Sequence, residues 1–308
     1  MTTFELCNIN VIFYFNKIIE KIEALIYNKI EINLSKIKIR RDVGVMDNFA
    51  DYILNEKNLA SKIEIVYYLS KKEKITFDKS VIFKTEIARL FLKYNKLNVD
   101  ENLVLTACLL CNCKKRENAT KLEEIKTYAK RGAEYLETLG FDKRFCKICE
   151  ESNRYSGSNP REKESDILEL VEQFGGMLLD RPERIGFKPD EAMVLLIHRN
   201  LKDEYNRYLE TFSQFVNILE EINMGEFIEV KSLFKLTKIY NETDDLIDFI
   251  KKVINQYEPQ IDSLIDKKYE KIKDEMFDSN LKNNRPLFTE ETTIKILKNI
   301  EERKHATE

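Results

Sequence analysis

From Asp47 onward, apolar residues recur at spacings of three and four almost without interruption, and eight Gly and five Pro in 308 residues leave few places for a tight turn. Such spacing collects apolar side chains on one face of a helix, whereas a half-buried strand needs alternation by two. The expected fold is therefore all-α. A hydrophobic share of 43% beside 34% charged residues fits an ordered helical protein rather than a disordered one. At roughly 100–200 residues per domain, the length allows one large body or two smaller ones.

Only the beginning departs from this pattern. Residues 1–45 are rich in Ile, Lys and Asn; they start as a helix would, and then Ile30, Ile32, Leu34, Ile37 and Ile39 alternate with polar residues, which predicts a possible short N-terminal β-hairpin. The expected division is an N-terminal helical region over 1–98, a helical core over 99–225 and a C-terminal helical extension over 226–308. With no Pro/Gly/Ser-rich linker between them, a single body is expected.

The formal charge of −3 comes from interleaved acids and bases, so no basic field recommends nucleic acid as a partner. No apolar stretch reaches the roughly 18 residues that a membrane span needs. The opening MTTFELCNINVIFYFNKIIEK lacks a basic segment followed by a cleavage site, so a cytoplasmic protein is expected, with no membrane partner.

Local signals place the helices. Asn98 and Glu101 have capping-box spacing ahead of NVDENLVLTACLLC, and Thr120 and Glu123 repeat it before Leu122, Ile125, Ala129, Gly132, Leu136 and Leu139, with Gly140 placed to end that helix. A short helix through Cys146 and Cys149 leads into the loop SNRYSGSNPREKES. Residues 166–179 resume a helix in which Gly175-Gly176 would weaken the helix or let another backbone approach closely. Pro189 suits a first helical position, with Asp190 and Glu191 in the first turn. Leu201, Tyr205, Tyr208, Phe212, Phe215, Leu219 and Ile222 form one long stripe that reads as core, and Leu246, Phe249, Ile250, Val253 and Tyr257 form another.

Five of the six cysteines fall between 108 and 149. Cys108 and Cys111, then Cys146 and Cys149, make two C-x-x-C pairs with Cys113 alongside, which has the arithmetic of a zinc site. The other reading is five packed thiols, and it is favoured because these cysteines sit in expected helices among apolar neighbours.

Four stretches together resemble the HD-GYP family of bacterial all-helical phosphohydrolases that cleave cyclic di-GMP. LLCNCKK at 109–115 stands where that family has LLHDIGK, and KTYAKRGAEYLETLGF at 126–141 is similar to its next helix. NRYSGSNP at 153–160 resembles the loop HHERYDGSGYP, and DRPERIGFKPDEAM at 180–193 follows the pattern DRPYRKGFSPEEAL. The likeness covers about a third of the chain. It implies an HD-GYP-like helical bundle with extra helices at both ends.

The resemblance also implies a metal centre of iron or manganese, and here the sequence departs from the family. At the ligand positions stand Cys111 and Asn112 for the HD pair, Tyr128 on the next helix, Glu151, Ser152 and Asn153 for the HHE triplet, and Glu172 for the late acid. Such a centre needs imidazoles and carboxylates to balance the cations, which Asn, Ser and Tyr do not supply. The two histidines, His198 and His305, fall at no motif position. The expectation is a catalytically inactive protein with no cofactor, acting as a protein-interaction or regulatory scaffold through a protein partner or self-association. The alternative is a non-hydrolysing receptor for cyclic di-GMP or a related nucleotide, held by Lys115, Arg181 and Arg184 at the family's cationic positions.

Overall fold

The computed structural model describes residues 49–63, 66, 79–115, 122–156, 160–180, 184–200, 206–222, 231–244 and 246–256. The chain divides into two compact units, Met1–Tyr52 and Ile53–Glu308, and the second holds every motif singled out in the sequence. The described residues are 73% helical with no strand, so the fold is all-α. The hairpin expected around Ile30–Ile39 lies outside the described residues. No helix among the described residues is long and apolar enough to cross a membrane.

The helices run in order α1 Phe49–Asn55, α2 Val81–Tyr94, α3 Glu101–Leu110, α4 Leu122–Thr138, α5 Lys143–Glu151, α6 Lys163–Leu178 and α7 Pro189–Leu195. After a π-helical turn over Leu196–Asn200 come α8 Leu209–Ile222, α9 Lys231–Asn241 and α10 Leu246–Gln256. Several starts are capped as their sequences require. Asp142 accepts the backbone N–H of Phe145 at 2.8 Å to open α5, and the Glu191 carboxylate accepts that of Lys188 at 3.0 Å to open α7, with Pro189 leading it. Helix α3 is capped by Asp100, which accepts from Leu103 at 3.0 Å, and not by Asn98. Gly140, with φ 90°, follows α4 as expected.

Helix α6 is the centre of the second unit, packing against α2, α3, α5 and α7, while α2 also carries α8 and α9. Where these helices meet, Phe91 of α2 lies edge-on to Phe212 at 5.1 Å and beside Phe215 at 5.3 Å, and Phe174 of α6 meets Phe212 at 5.3 Å. All four rings are fully buried, each contributing about 1.5–3 kcal/mol, so Phe212, Phe215 and Leu219 of the expected stripe are core, while Tyr208 is half-buried and Leu201 and Tyr205 lie outside the described residues. The stripe is not one helix, however. Asn206 forms a turn, its side chain accepting the N–H of Tyr208 at 3.1 Å and its carbonyl that of Leu209, so α8 starts only there.

One buried cation joins the helical segment over 59–63 to α3. Lys62 donates to the Ile53 carbonyl at 2.6 Å and to the Thr106 hydroxyl at 2.5 Å. Burial pulls its ammonium down to about 8 from an ordinary 10.5, partly opposed by Glu56 and Asp100. Between those two values the folded chain has released a proton that the unfolded chain keeps, so the Lys62 contribution makes stability rise with pH across that window. Relative to Lys62→Met, the wild type should gain on the order of 3 kcal/mol from pH 8 to 10.5 and nothing below pH 7, as read from denaturant unfolding at a series of pH values.

Candidate functional site

Helix α3 stops at Leu110, and the next four residues form a tight turn. Cys111 still donates to the Ala107 carbonyl at 2.8 Å, then Cys113 donates to Leu110 at 3.0 Å and Lys115 to Asn112 at 2.9 Å. The turn delivers Asn112 and Lys115 to the side of α6, where Glu172 receives both. Its Oε1 accepts from Lys115 Nζ at 2.6 Å, and its Oε2 accepts from Asn112 Nδ2 and Lys84 Nζ, each at 2.8 Å. The side chains of Lys84, Glu172 and Lys115 are 3%, 10% and 20% exposed, so the clamp is deepest at Lys84 and opens toward Lys115. Tyr128, buried on α4, closes that side with its ring centroid 5.3 Å from the Lys115 ammonium.

Lys84 reaches the carboxylate because α2 and α6 cross closely. A Cβ on Gly175 would stand 2.9 Å from Lys84 Cγ and 3.1 Å from Ile87 Cδ1, so the lysine stem lies in the gap left by the glycine. The expected close approach at Gly175 is therefore present. Lys84 itself was missed by motif reading, although a signal existed: VIFKTEIARLFL is an apolar helix carrying Lys84 and Glu86 in its middle, and both are buried. Buried charges require partners: Glu86 takes Arg89 from the same helix at 2.7 Å, and Lys84 takes Glu172 from α6.

Cys108 and Cys111 lie beside this clamp, Cys113 lies against Gly132 of α4 and Cys146 against Phe141 after it, and burial favours the protonated thiol in each. Burial pushes Cys111 up to about 12, aided by the Glu172 charge and partly offset by Lys84 and a hydrogen bond with Ser152. Cys113 is raised by burial to about 12, and Cys146 to about 11. Cys149 is held well above the usual thiol range by burial and by its neighbours Cys111, Cys113, Cys146 and Cys108, and Cys108 is raised in the same way. All five are free and buried. They should resist Ellman's reagent at pH 8 in the native chain and react on unfolding, a native rate at least about 100-fold below that of the denatured protein being the expected result.

The remaining motif positions belong to a second polar cluster at the other end of α6. The Glu151 carboxylate accepts from the Glu162 N–H and the Ser165 hydroxyl, each at 2.8 Å, and lies 3.5 Å from Lys147. Asn153 donates to the Ile125 carbonyl at 2.8 Å, and Ser152 Oγ to the Cys149 carbonyl at 2.7 Å. Arg161 binds Glu169 at 2.5 Å, Asp166 at 3.5 Å and the Glu151 carbonyl at 2.9 Å. These contacts anchor the loop that precedes α6. Sequence reading missed Arg161, Asp166 and Glu169, although KESDILELVEQ places acids on several sides of one helix, as a solvated helix would not require.

Arg184 is engaged at the end of α6. Its guanidinium donates to the carbonyls of Gly176 at 2.7 Å and Met177 at 3.0 Å and stacks over Phe187 at 4.8 Å, neutralising the negative end of α6. Arg181 and His305 lie outside the described residues, and His198 is exposed in the π-helical turn.

The iron or manganese centre that the family resemblance implies does not fit these side chains. The one carboxylate at the clamp is already shared by two ammonium groups, and the neighbouring Asn, Tyr, Ser and protonated Cys supply no further negative charge. Among the described residues, no group of three or more His, Cys, Asp or Glu side chains is placed to hold a metal ion. No protein-family model, curated protein or solved structure matches the chain.

Proposed function

We propose that this chain is a non-catalytic, HD-GYP-like helical protein that acts as a protein-interaction or regulatory scaffold. One observation carries the reading: at the motif positions where the family holds its metals, Glu172 is engaged by Lys84, Lys115 and Asn112. A lysine ammonium cannot lower the pKa of a bound water as a metal does, so the clamp supplies no hydroxide for attack on a phosphodiester. It supplies rigidity instead, tying α2, the turn after α3 and α6 together behind whatever surface the fold presents. The test is incubation of the full-length protein with cyclic di-GMP and added iron or manganese. No turnover above the metal-only background is expected; metal-dependent hydrolysis lost in Glu172→Gln would overturn the reading. The nucleotide-receptor reading has less support, because Lys115 would have to leave Glu172 and Arg184 the end of α6. Saturable heat on titration with cyclic di-GMP, abolished by Arg181→Ala, would replace the scaffold reading with it.

A further inference from the structure

We propose that the pocket bounded by Glu172, Asn112 and the gap at Gly175 is a binding site for a primary ammonium group, which the chain fills with its own Lys84. Three independent features are built around that group. The carboxylate Oε2 meets the ammonium at 2.8 Å, within the range of a charge-assisted hydrogen bond. Gly175 leaves room for an unbranched stem that any side chain at 175 would contest, since its Cβ would stand 2.9 Å from Lys84 Cγ. Asn112 donates its Nδ2 to the same Oε2 at 2.8 Å and so holds the carboxylate in the orientation that meets the ammonium. The arrangement therefore favours a cation with N–H donors on an unbranched stem. A tethered cation also has a high effective concentration, and its charge opposes entry of any free ion. The site depends on how Lys84 is held in the fold and is independent of a scaffold role.

The test uses the full chain with Lys84→Ala, which removes a volume matching n-propylamine. The unfolding midpoint is measured against n-propylammonium chloride and against tetramethylammonium chloride at equal ionic strength. The expected result is a saturable rise with the primary amine alone, the folded-to-unfolded ratio increasing about elevenfold at ten times the dissociation constant. The wild type and Lys84→Met, whose stems fill the gap at Gly175, should not respond. Adding Lys115→Met to Lys84→Ala should enlarge the response, because a competing ammonium is lost. If Lys84→Ala does not stay folded at equilibrium, its refolding yield from denaturant is compared in the two salts, with the primary amine expected to raise it. Equal effects of the two salts, equal effects on the Ala and Met variants, or no effect of either salt would overturn the proposal.

Discussion

Glu172→Leu is expected to lower the unfolding free energy by about 3–5 kcal/mol, the usual cost of leaving buried charge without its partner. The substitution strips a carboxylate from two ammonium groups at once, and Lys84, with a side chain only 3% exposed, is poorly placed to regain water. Lys115, at 20%, can turn outward more easily. The loss should therefore be traced mainly to Lys84. Glu172→Leu/Lys84→Met should recover most of it, since two apolar side chains of similar reach replace the pair, and a double-mutant cycle by denaturant unfolding measures the coupling directly. A single-variant loss below about 1 kcal/mol would mean that Lys84 escapes to solvent and that the clamp contributes little.

Gly186→Ala should cost about 3 kcal/mol, the upper end of the range for overpacking. Its Cβ would fall 2.1 Å from the Leu178 carbonyl oxygen and 2.8 Å from the carbonyl carbon, and both atoms are backbone. Neither side of this contact is free to retreat. Leu178 is the last residue of α6, and the chain around Gly186 is tied to the same helix end by Phe187, which donates to the Met177 carbonyl at 2.9 Å, and by the Arg184 guanidinium. Accommodating the methyl means pulling residues 184–188 off the end of α6 and exposing its last carbonyls. The neighbouring Ile185→Ala is the control: Ile185 is 81% exposed, so a change within about 0.5 kcal/mol is expected. Thermal unfolding of the two variants side by side separates a backbone collision from a general sensitivity of this loop.

What could be read from the sequence was whatever expresses itself locally. The all-α fold followed from spacing, the burial of Phe212 and Phe215 from their apolar stripe, and the start at Pro189 belongs to a position where the residue type decides the backbone. Where two residues could do one job, as Asn98 and Asp100 both could, local reading did not choose correctly, because the choice depends on where α3 docks. Asn206 is a similar case: it interrupts an apolar stripe whose spacing hides the break. The clamp was half legible. Asn112, Lys115, Tyr128 and Glu172 were marked by the family resemblance as positions of interest, but their partner Lys84 lies outside the matching stretches, on a helix whose pattern says only that it is buried. A pattern can reveal that a lysine sits among apolar neighbours, yet its counter-charge is set by which helices cross, and that is a property of the tertiary fold. The thiols repeat the point, since C-x-x-C spacing is shared by zinc sites and by two adjacent buried positions on a helix.

The clamp also orders events in time. Lys84 and Glu172 are separated by 88 residues. At the roughly 5–20 residues per second of protein synthesis, about 4–18 s pass between the making of the lysine and the making of its carboxylate. Throughout that interval α2 carries a charge that has no Glu172 to receive it and an apolar surface that has no α6 to cover it. The first half of the chain therefore cannot finish its core as it emerges: the arrival of α6 supplies the counter-charge, and α8 brings Phe212 and Phe215 onto Phe91 later still.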